Sequence, residues 1–264
     1  MITSRSNSLV KRARDVRDGR ESQLIFLEGV RLCEEAVRTA LRVEDVLYTS
    51  KLIPDERSAR LLEAITRLSQ RSTLVSEEVL GFVSDTKTPQ GIVALAARPP
   101  TDRSVFAQDS NDKPLIVILH RVSNPLNAGA MLRVGEAAGA TGAISTEMTT
   151  DLFSPKALRG AMGSSFRLPL WTRAQFTEVL TWCAQQNITT VSTGLRATRK
   201  HTEIDWTRPA ALIVGAEGSG LEPSEMAATN QAIRIPMRPP VESLNVATAL
   251  AIVLYEAARQ RGNL

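Results

Sequence analysis

The chain has 264 residues, which is enough for one large domain or two ordinary ones. Its 43% hydrophobic and 23% charged residues are typical of a soluble globular protein. Lys and Arg outnumber Asp and Glu by 32 to 28, and the resulting net charge of +4 favours a polyanionic partner only weakly.

Two cysteines, Cys33 and Cys183, match no metal-binding or redox spacing, so we expect them to pack as small apolar groups in a reducing compartment. The basic N-terminus is not followed by an apolar stretch, which argues against a signal peptide. The longest apolar segment, 246–255, is too short to span a bilayer. We therefore predict a cytoplasmic protein with neither a membrane segment nor a bound metal.

The first hundred residues alternate between helical and strand patterns. Predicted helices cover 3–18, 30–41, 54–68 and 76–83, and predicted strands cover 23–27, 43–49, 74–76 and 91–97. This alternation predicts a compact α/β domain over 1–98. The segment that follows has prolines, charges and little periodicity, so we assign 99–113 to an exposed linker.

The first predicted helix is strongly basic. Within 1–20 the basic residues are Arg5, Lys11, Arg12, Arg14, Arg17 and Arg20, against Asp15 and Asp18. A basic helix is a candidate surface for contacting phosphates. A solvated helix face explains the same charges equally well.

The remainder, 114–264, opens with the uninterrupted apolar run LIVIL at 115–119, which is typical of a parallel strand covered on both faces. Further strands are predicted at 143–145, 167–171, 188–193, 210–214 and 232–235, and helices at 128–138, 155–162, 174–186 and 244–261. Strands that alternate with helices in this way predict a parallel sheet with right-handed crossovers.

A first polar cluster lies between the buried strand and the next helix, in the sequence NPLNAGAMLR at 124–133. Asn124 is suited to cap the helix, and Pro125 to its opening turn. Asn127 and Arg133 are six residues apart, within reach of one pocket at the carboxyl end of the strand, where open parallel sheets place ligands. A cap and a surface charge without any ligand explain the same residues.

A second cluster places three glycines directly after a strand, in VGAEGSGLEP at 214–223. Glycines let the backbone approach a ligand closely and present bare amides. The spacing G-x-E-G-x-G is not the dinucleotide fingerprint G-x-G-x-x-G, and the lysine of a phosphate loop is absent. A nucleoside ligand without phosphates, such as an adenosyl group, suits this loop better.

A third cluster, IPMRPPVESLNVATA at 235–249, joins the last strand to the last helix. Its prolines stiffen the loop. We expect Ser243 to cap the helix and Asn245 to fall in the first turn, where a buried amide needs partners. Asn245 is therefore expected to brace the loop while it faces the pocket.

These three clusters, in this order, resemble the three motifs of the SpoU/TrmH family in the SPOUT class of RNA 2′-O-ribose methyltransferases. The match runs from about 115 to 261, and the string SLNVATALAIVLYEAARQR is especially similar. The segments FLEGVR at 26–31 and DTKTPQG at 85–91 resemble the ribosomal-protein-like RNA-binding extension found in the family. Ala247 stands where the family usually has Ser, and Asn124 where Asp is frequent.

The resemblance implies an α/β catalytic domain over 114–264 with a deep trefoil knot, and S-adenosylmethionine bent within that knot. The cofactor contacts carried onto this chain are Thr193, Gly194, Gly215, Ile235 and Leu244. It also implies a homodimer. Independently, Leu250, Ile252, Val253 and Leu254 cover too wide an arc of the last helix for one core face, which favours burial on a second side.

In the implied reaction, a ribose 2′-hydroxyl attacks the sulfonium methyl, and its proton must leave. His120 is a tempting base because it follows the strand, but Arg133 matches the arginine that is essential in the family. Because Arg is normally always charged, we hypothesise that Arg133 binds the adjacent phosphate and holds the 2′-oxygen in line, with phosphate or Arg accepting the proton. Asn127 and Ser243 are expected to hold the sugar-phosphate.

Glu217 and Asn245 are expected to orient the pocket; alternatively, Glu217 forms an ion pair with Arg133. Predicted RNA contacts are Arg5, Lys11, Arg12, Arg31 and Arg159. Ribosomal RNA is the preferred substrate and tRNA the second. Aromatic residues are only 4% of the chain, so phosphate contacts and RNA shape should dominate binding.

Two other functions compete with methylation. A ribosome-assembly or RNA-binding factor with this fold but without turnover is one, and the intact motif residues argue against it. A nucleotide-dependent oxidoreductase is the other, and it fails because the dinucleotide loop is absent.

Overall fold

The computed structural model describes residues 1–52, 55–107 and 113–262. It contains two compact units, each built of helices and strands. The first unit comprises Met1–Pro99 together with Phe153–Arg167, and the second comprises Pro100–Leu152 together with Leu168–Leu264. The α/β class predicted for both parts is confirmed.

The first unit is built on a mixed sheet. Its strands are β1 (Leu24–Glu28), β2 (Val43–Tyr48), β3 (Ser69–Leu74) and β4 (Ile92–Ala97), and its helices before residue 100 are α1 (Ser8–Arg17), α2 (Val30–Arg38), α3 (Glu56–Leu68) and α4 (Glu77–Val83). Within the described residues the strand order is β1-β4-β2-β3; β4 runs antiparallel to both neighbours, and β2 and β3 are parallel.

Helices α1 and α4 pack on one face of this sheet through their apolar sides. The shared core comprises Leu9, Val10, Ala13 and Val16 of α1, Val79, Leu80 and Val83 of α4, and strand residues that include Phe26, Leu47 and Leu95. Asn7 caps α1, so this helix begins later than the predicted start at residue 3. The predicted start of α3 at Pro54 lies outside the described residues, and Asp55 caps that helix.

Residues 153–167 lie inside the predicted catalytic domain in sequence but group with the first unit in space. They form the short helices α6 (Pro155–Ala161) and α7 (Ser164–Arg167). Arg159 pairs with Asp85 at 2.7 Å, and Arg167 pairs with Glu35. Two ion pairs therefore fasten this excursion of the chain within the first unit.

The second unit is built on a parallel sheet, as predicted. Its strands are β5 (Leu115–Leu119), β6 (Gly142–Thr146), β7 (Leu170–Ala174), β8 (Thr189–Thr193), β9 (Arg199–Lys200), β10 (Ala210–Val214) and β11 (Gln231–Arg234), and its helices are α5 (Pro125–Ala137), α8 (Phe176–Gln185), α9 (Pro223–Ala227) and α10 (Val246–Gln260). Among the described residues the strand order is β7-β6-β5-β10-β8-β11-β9, with every pair parallel.

The interior of this sheet follows the apolar runs of the sequence. Every residue of β5 and of β10 is buried, in agreement with the prediction that 115–119 is a strand covered on both faces. Cys183 packs in the core of this unit and Cys33 in that of the first unit, and both are fully buried, as expected for small apolar groups. No helix in the described ranges is long and apolar enough to cross a membrane.

Two predicted strands begin at residues other than those expected. The strand expected at 74–76 is β3, which begins at Ser69 and is polar up to its last residue, Leu74, because it is an edge strand with one neighbour. The strand expected at 167–171 begins only at Leu170, since 164–167 is helical.

The predicted linker is not simply exposed. Residues 103–106 form a 3-10 turn, and the Phe106 ring lies 5.1 Å from the Trp182 ring, at the edge of the second core. Residues 108–112 of that prediction lie outside the described residues.

The packing of Phe106 makes a stability prediction. A Cβ added at Gly142 would meet the Phe106 ring, with Cζ at 3.1 Å, and the Pro169 carbonyl oxygen, also at 3.1 Å. Gly142→Ala should therefore lower the free energy of unfolding by about 1–3 kcal/mol, measured by urea denaturation. In a Phe106→Ala background the loss should shrink because the ring is gone. An equal loss in both backgrounds would show that Phe106 does not pack there.

Candidate functional site

The three polar clusters converge at the carboxyl ends of the strands of the second unit. Glu217, in the loop after β10, accepts hydrogen bonds from the Ser123 amide at 3.0 Å, the Asn124 amide at 3.2 Å and the Asn127 side-chain Nδ2 at 3.2 Å. Because β10 pairs with β5, the loop after one strand lies beside the loop after the other. One carboxylate thus joins the second cluster to the first.

The third cluster joins through an amide. The Asn245 Nδ2 donates to the Asn127 Oδ1 at 3.1 Å, so that Glu217, Asn127 and Asn245 form one polar chain. Asn245 is also the N-cap of α10, because its Oδ1 accepts from the Ala247 and Thr248 amides at 2.9 and 3.3 Å. The prediction of Ser243 as the cap was therefore wrong, and Asn245 is exposed rather than buried in the first turn.

Glu217 is held as a carboxylate. Burial by itself would raise the pKa of Glu217, but hydrogen bonds from Ser123, Asn127 and Asn124 outweigh it and leave the pKa below its usual range. The side chain also lies at the positive N-terminal end of α5, which favours a negative charge. Glu217 is therefore ionised and fully engaged at neutral pH.

Arg133 lies on α5, beyond this polar chain. It is exposed, and among the residues that the structure describes it forms no hydrogen bond or ion pair. The alternative ion pair between Glu217 and Arg133 is not formed, since the Glu217 oxygens accept from the first cluster instead. Arg133 is thus a solvated cation that is available to a ligand.

The residues expected to hold the cofactor follow neighbouring strands. Thr193 ends β8, and the Gly194 amide donates to the Ile233 carbonyl in β11 at 2.9 Å. Gly215 follows β10, which lies between β5 and β8, and Ile235 follows β11. Leu244, which is 37% exposed, lies with the exposed Ser243 in the loop before α10.

Two of these glycines have close neighbours where a side chain would begin, backbone atoms at Gly215 and the flexible end of Met226 at Gly194. A Cβ at Gly194 would lie 2.5 Å from the Met226 Cε, and one at Gly215 would lie 2.7 Å from the Gly220 carbonyl oxygen. The loop 215–220 closes on itself through the Gly220 amide, which donates to the Ala216 carbonyl at 2.9 Å. This glycine-lined backbone fits a nucleoside ligand that is bound mainly through main-chain groups.

His120 is buried and already committed to partners. Its Nδ1 lies 3.0 Å from the Thr146 Oγ1 and its Nε2 lies 3.1 Å from the Glu225 Oε1. Its ring packs against Phe176, with centroids 4.3 Å apart and the planes tilted by 43°. Glu225, in α9, also accepts from Arg121. Glu225 was not among the predicted site residues, although the sequence carries a signal for it, the capping box that Glu222 and Glu225 form at the start of α9.

The basic residues predicted to bind RNA belong to the first unit and differ in availability. Arg5 pairs with Glu78, Arg159 pairs with Asp85, and Arg12 is held by Glu21, Glu44 and the buried Asp45. Lys11 and Arg31 are exposed and, in the described part of the chain, form no ion pair. Arg12 therefore has a structural role in this geometry, because three carboxylates neutralise its charge.

Comparison with known families agrees with this geometry. The SpoU rRNA Methylase family matches residues 114–255, and an MRM3-like substrate binding domain matches residues 7–94. An uncharacterized tRNA/rRNA methyltransferase of Synechocystis sp. is 35% identical over 263 residues, which is 98% of this chain and 94% of the relative.

Two further similar proteins are a 23S rRNA methyltransferase and an rRNA methyltransferase with bound AdoMet. The 23S rRNA (guanosine(2553)-2′-O)-methyltransferase RlmP of Bacillus subtilis is 28% identical, over 96% of this chain and 97% of its own length. The crystal structure of an AdoMet-bound rRNA methyltransferase from Sinorhizobium meliloti superposes with a TM-score of 0.86 at 27% identity, covering 98% of this chain and 97% of its own.

The burial of His120 makes stability depend on pH. Burial lowers the pKa of His120 more than the Glu225 charge raises it, with Arg121 lowering it further. Below the unfolded-state pKa of about 6.5, the unfolded chain takes up a proton that the folded chain refuses. The free energy of unfolding should therefore fall as pH drops below that value and level off below the folded-state pKa.

Urea denaturation of wild type and of His120→Gln measures how the free energy of unfolding depends on pH. The range from about pH 5 to about pH 8 covers the titration of histidine. The variant should lose this part of the pH dependence. His201→Gln removes the other histidine and isolates the contribution of position 120. The same slope in wild type and in His120→Gln would contradict the assignment.

Proposed function

Because the chain belongs to the SpoU rRNA methylase family, we propose that it transfers a methyl group from S-adenosylmethionine to a ribose 2′-hydroxyl of ribosomal RNA. The observation that carries the proposal is the polar chain Glu217–Asn127–Asn245, which joins the three motif loops at the start of α5. Further along the same helix, Arg133 is exposed and has no ion-pair partner in the described part of the chain. Relatives that act on 23S rRNA favour the large-subunit RNA over tRNA as the substrate.

The residues of this chain would position both reactants. S-adenosylmethionine supplies an electrophilic methyl group when it is bound. Thr193, Gly194, Gly215, Ile235 and Leu244 would hold it, mainly through the backbone of three neighbouring strand ends. Arg133 would bind the phosphate next to the target ribose and hold the 2′-oxygen in line, with Asn127 and Ser243 on the sugar-phosphate. Positioning of this kind can lower a barrier by several kcal/mol, roughly 7 or more in well-oriented cases.

The acceptor of the hydroxyl proton can be inferred by excluding Glu217 and His120. The Glu217 oxygens already accept from Ser123, Asn124 and Asn127, and its lowered pKa makes it a weak base. His120 is buried behind Thr146 and Glu225 and cannot face a substrate. The RNA phosphate held by Arg133 is left as the acceptor, because the charged guanidinium of Arg133 has no free site for a further proton.

Several further features belong to the same proposal. Residues 1–98 form the RNA-binding domain, 99–113 the linker and 114–264 the catalytic domain of a cytoplasmic homodimer. Ile252 and Tyr255 on α10 are 37% and 45% exposed, which supports a dimer that buries this face of the helix. The order β5-β10-β8-β11 supports the knot, since β10 returns between β5 and β8 and β11 lies beside β8.

The function is tested by mapping 2′-O-methyl groups in ribosomal RNA from cells with and without the protein. We expect one position to lose its methyl group and to regain it on expression of wild type. Arg133→Lys should bind the RNA as wild type does but turn over about 100-fold more slowly, because the fork that holds phosphate is lost.

An unchanged methylation map would overturn the proposal. Calorimetry separates the competing function, since an RNA-binding factor without turnover releases no heat with S-adenosylmethionine. Full activity in Arg133→Lys would remove only Arg133 from the mechanism.

Substitution at Asn245 separates its two contacts. Asp caps a helix about as well as Asn does, so Asn245→Asp should unfold within about 0.5 kcal/mol of wild type. The Asp side chain lacks the Nδ2 donor to Asn127. We therefore expect the methylation rate to fall by about tenfold, which is the equivalent of one lost hydrogen bond to a site residue. Asn245→Ser, which also caps but adds no charge, should fall similarly. Wild-type rates in both variants would show that the polar chain is dispensable.

A further inference from the structure

Helix α9 reaches the ends of two strands that flank the glycine loop. It follows that loop directly in sequence. Met226 of this helix lies against Gly194 after β8, because a Cβ at Gly194 would be 2.5 Å from the Met226 Cε. Glu225 reaches in the other direction, to His120 and Arg121 after β5. The placement of α9 therefore sets the space between these strand ends.

One carboxylate of α9, that of Glu225, bonds the residues that follow β5. The Glu225 Oε1 lies 3.1 Å from the His120 Nε2, and its Oε2 accepts from the Arg121 Nη2 at 2.5 Å. The same Oε2 accepts from the Glu222 amide at 2.8 Å, which fixes the first turn of α9. Glu225 is thus bonded both to the end of the glycine loop and to the end of β5.

Arg121 is held at a conformational cost. Its backbone lies in the left-handed region at φ +56, which side chains other than glycine rarely adopt. Its Nε is buried without a partner among the described residues. The Thr146 Oγ1 supports the arrangement, since it accepts from the Arg121 amide at 3.3 Å and lies 3.0 Å from the His120 Nδ1. These contacts hold Arg121 in a backbone conformation that only the surrounding structure makes favourable.

Glu225 acts at the opposite end of the loop from Glu217. Glu217 ties the front of the loop to the first cluster, and Glu225 ties its far end, through α9, to β5. Gly218 and Gly220, which lie between these two carboxylates in sequence, have no side chains of their own to fix the shape of the loop. Without the second anchor, Gly215 and Gly194 would lose their fixed separation.

We infer that Glu225, together with Arg121, is a positioning residue for the methyl donor: it holds α9 so that the loop 215–221 and Gly194 keep a ligand-ready spacing. This inference rests on the proposed function for the identity of the ligand. It assigns Glu225 no contact with the reacting atoms. The anchoring itself is a property of the free protein.

The test compares wild type with Glu225→Ala, with Asp205→Asn as a matched control. Asp205 is an exposed carboxylate of the same unit that bonds Thr207 and Arg208. Calorimetry with S-adenosylmethionine and with S-adenosylhomocysteine should show a Kd that is about tenfold weaker in Glu225→Ala. The control should bind as wild type does. Amide hydrogen exchange over 215–221 without ligand should be faster in Glu225→Ala alone.

Arg121→Gly separates positioning from stability. Glycine adopts a positive φ freely, so this variant should melt at or above the wild-type temperature. It nevertheless removes the ion pair to Glu225, and we expect it to bind S-adenosylmethionine about fivefold more weakly, somewhat less than for the full loss of the carboxylate.

Ligand affinities within twofold of wild type in both variants, or loop exchange that is unchanged in Glu225→Ala, would overturn the inference. If wild type itself binds no S-adenosylmethionine, the proposed function fails. The loop exchange then still decides whether Glu225 anchors the loop.

Discussion

The structure of the site depends on the carboxylate of Glu217. It accepts from two main-chain amides and one side-chain amide of the first cluster, and it lies at the positive end of α5. Without these donors, burial would raise its pKa and favour a neutral acid. The ionised form and the closed arrangement of the loops therefore stabilise each other. Asn127 passes this constraint on to Asn245 and so to the start of α10.

The parallel sheet makes this interaction available. Fully buried runs select β5 and β10 as inner strands, and their pairing brings their carboxyl ends to one edge. Loops that are 90 or more residues apart in sequence then meet within hydrogen-bond distance, as Asn127 and Glu217 do. Backbone hydrogen bonds of the strands fix where the loops begin, and a few side-chain hydrogen bonds between the loops fix their shape. The chemistry of the site is thus separated from the forces that stabilise the sheet.

Much of this fold could be predicted because its signals are local. The apolar run at 115–119, the Asn124 cap with Pro125, and the three motif clusters all depend on neighbouring residues. Features without a local signal were missed. Five of the six residues of β3 are polar because it lies at an edge. Asn245 rather than Ser243 caps α10, and the same side chain bonds Asn127. The bond between Glu225 and His120 spans 105 residues, a distance over which no pattern in sequence carries information.

The charges of the first unit bear on how RNA would be recognised. Its basic residues are numerous, yet Arg5, Arg12 and Arg159 are paired with carboxylates. A phosphate that approaches such a residue must first displace its partner, so most of the gain from a new contact is offset by the ion pair lost. Cations that are already solvated, such as Lys11 and Arg31, release counterions without that cost. Affinity would then come from a few well-placed contacts and from the shape of the RNA rather than from net charge, which is the mode suited to a protein with few aromatic side chains.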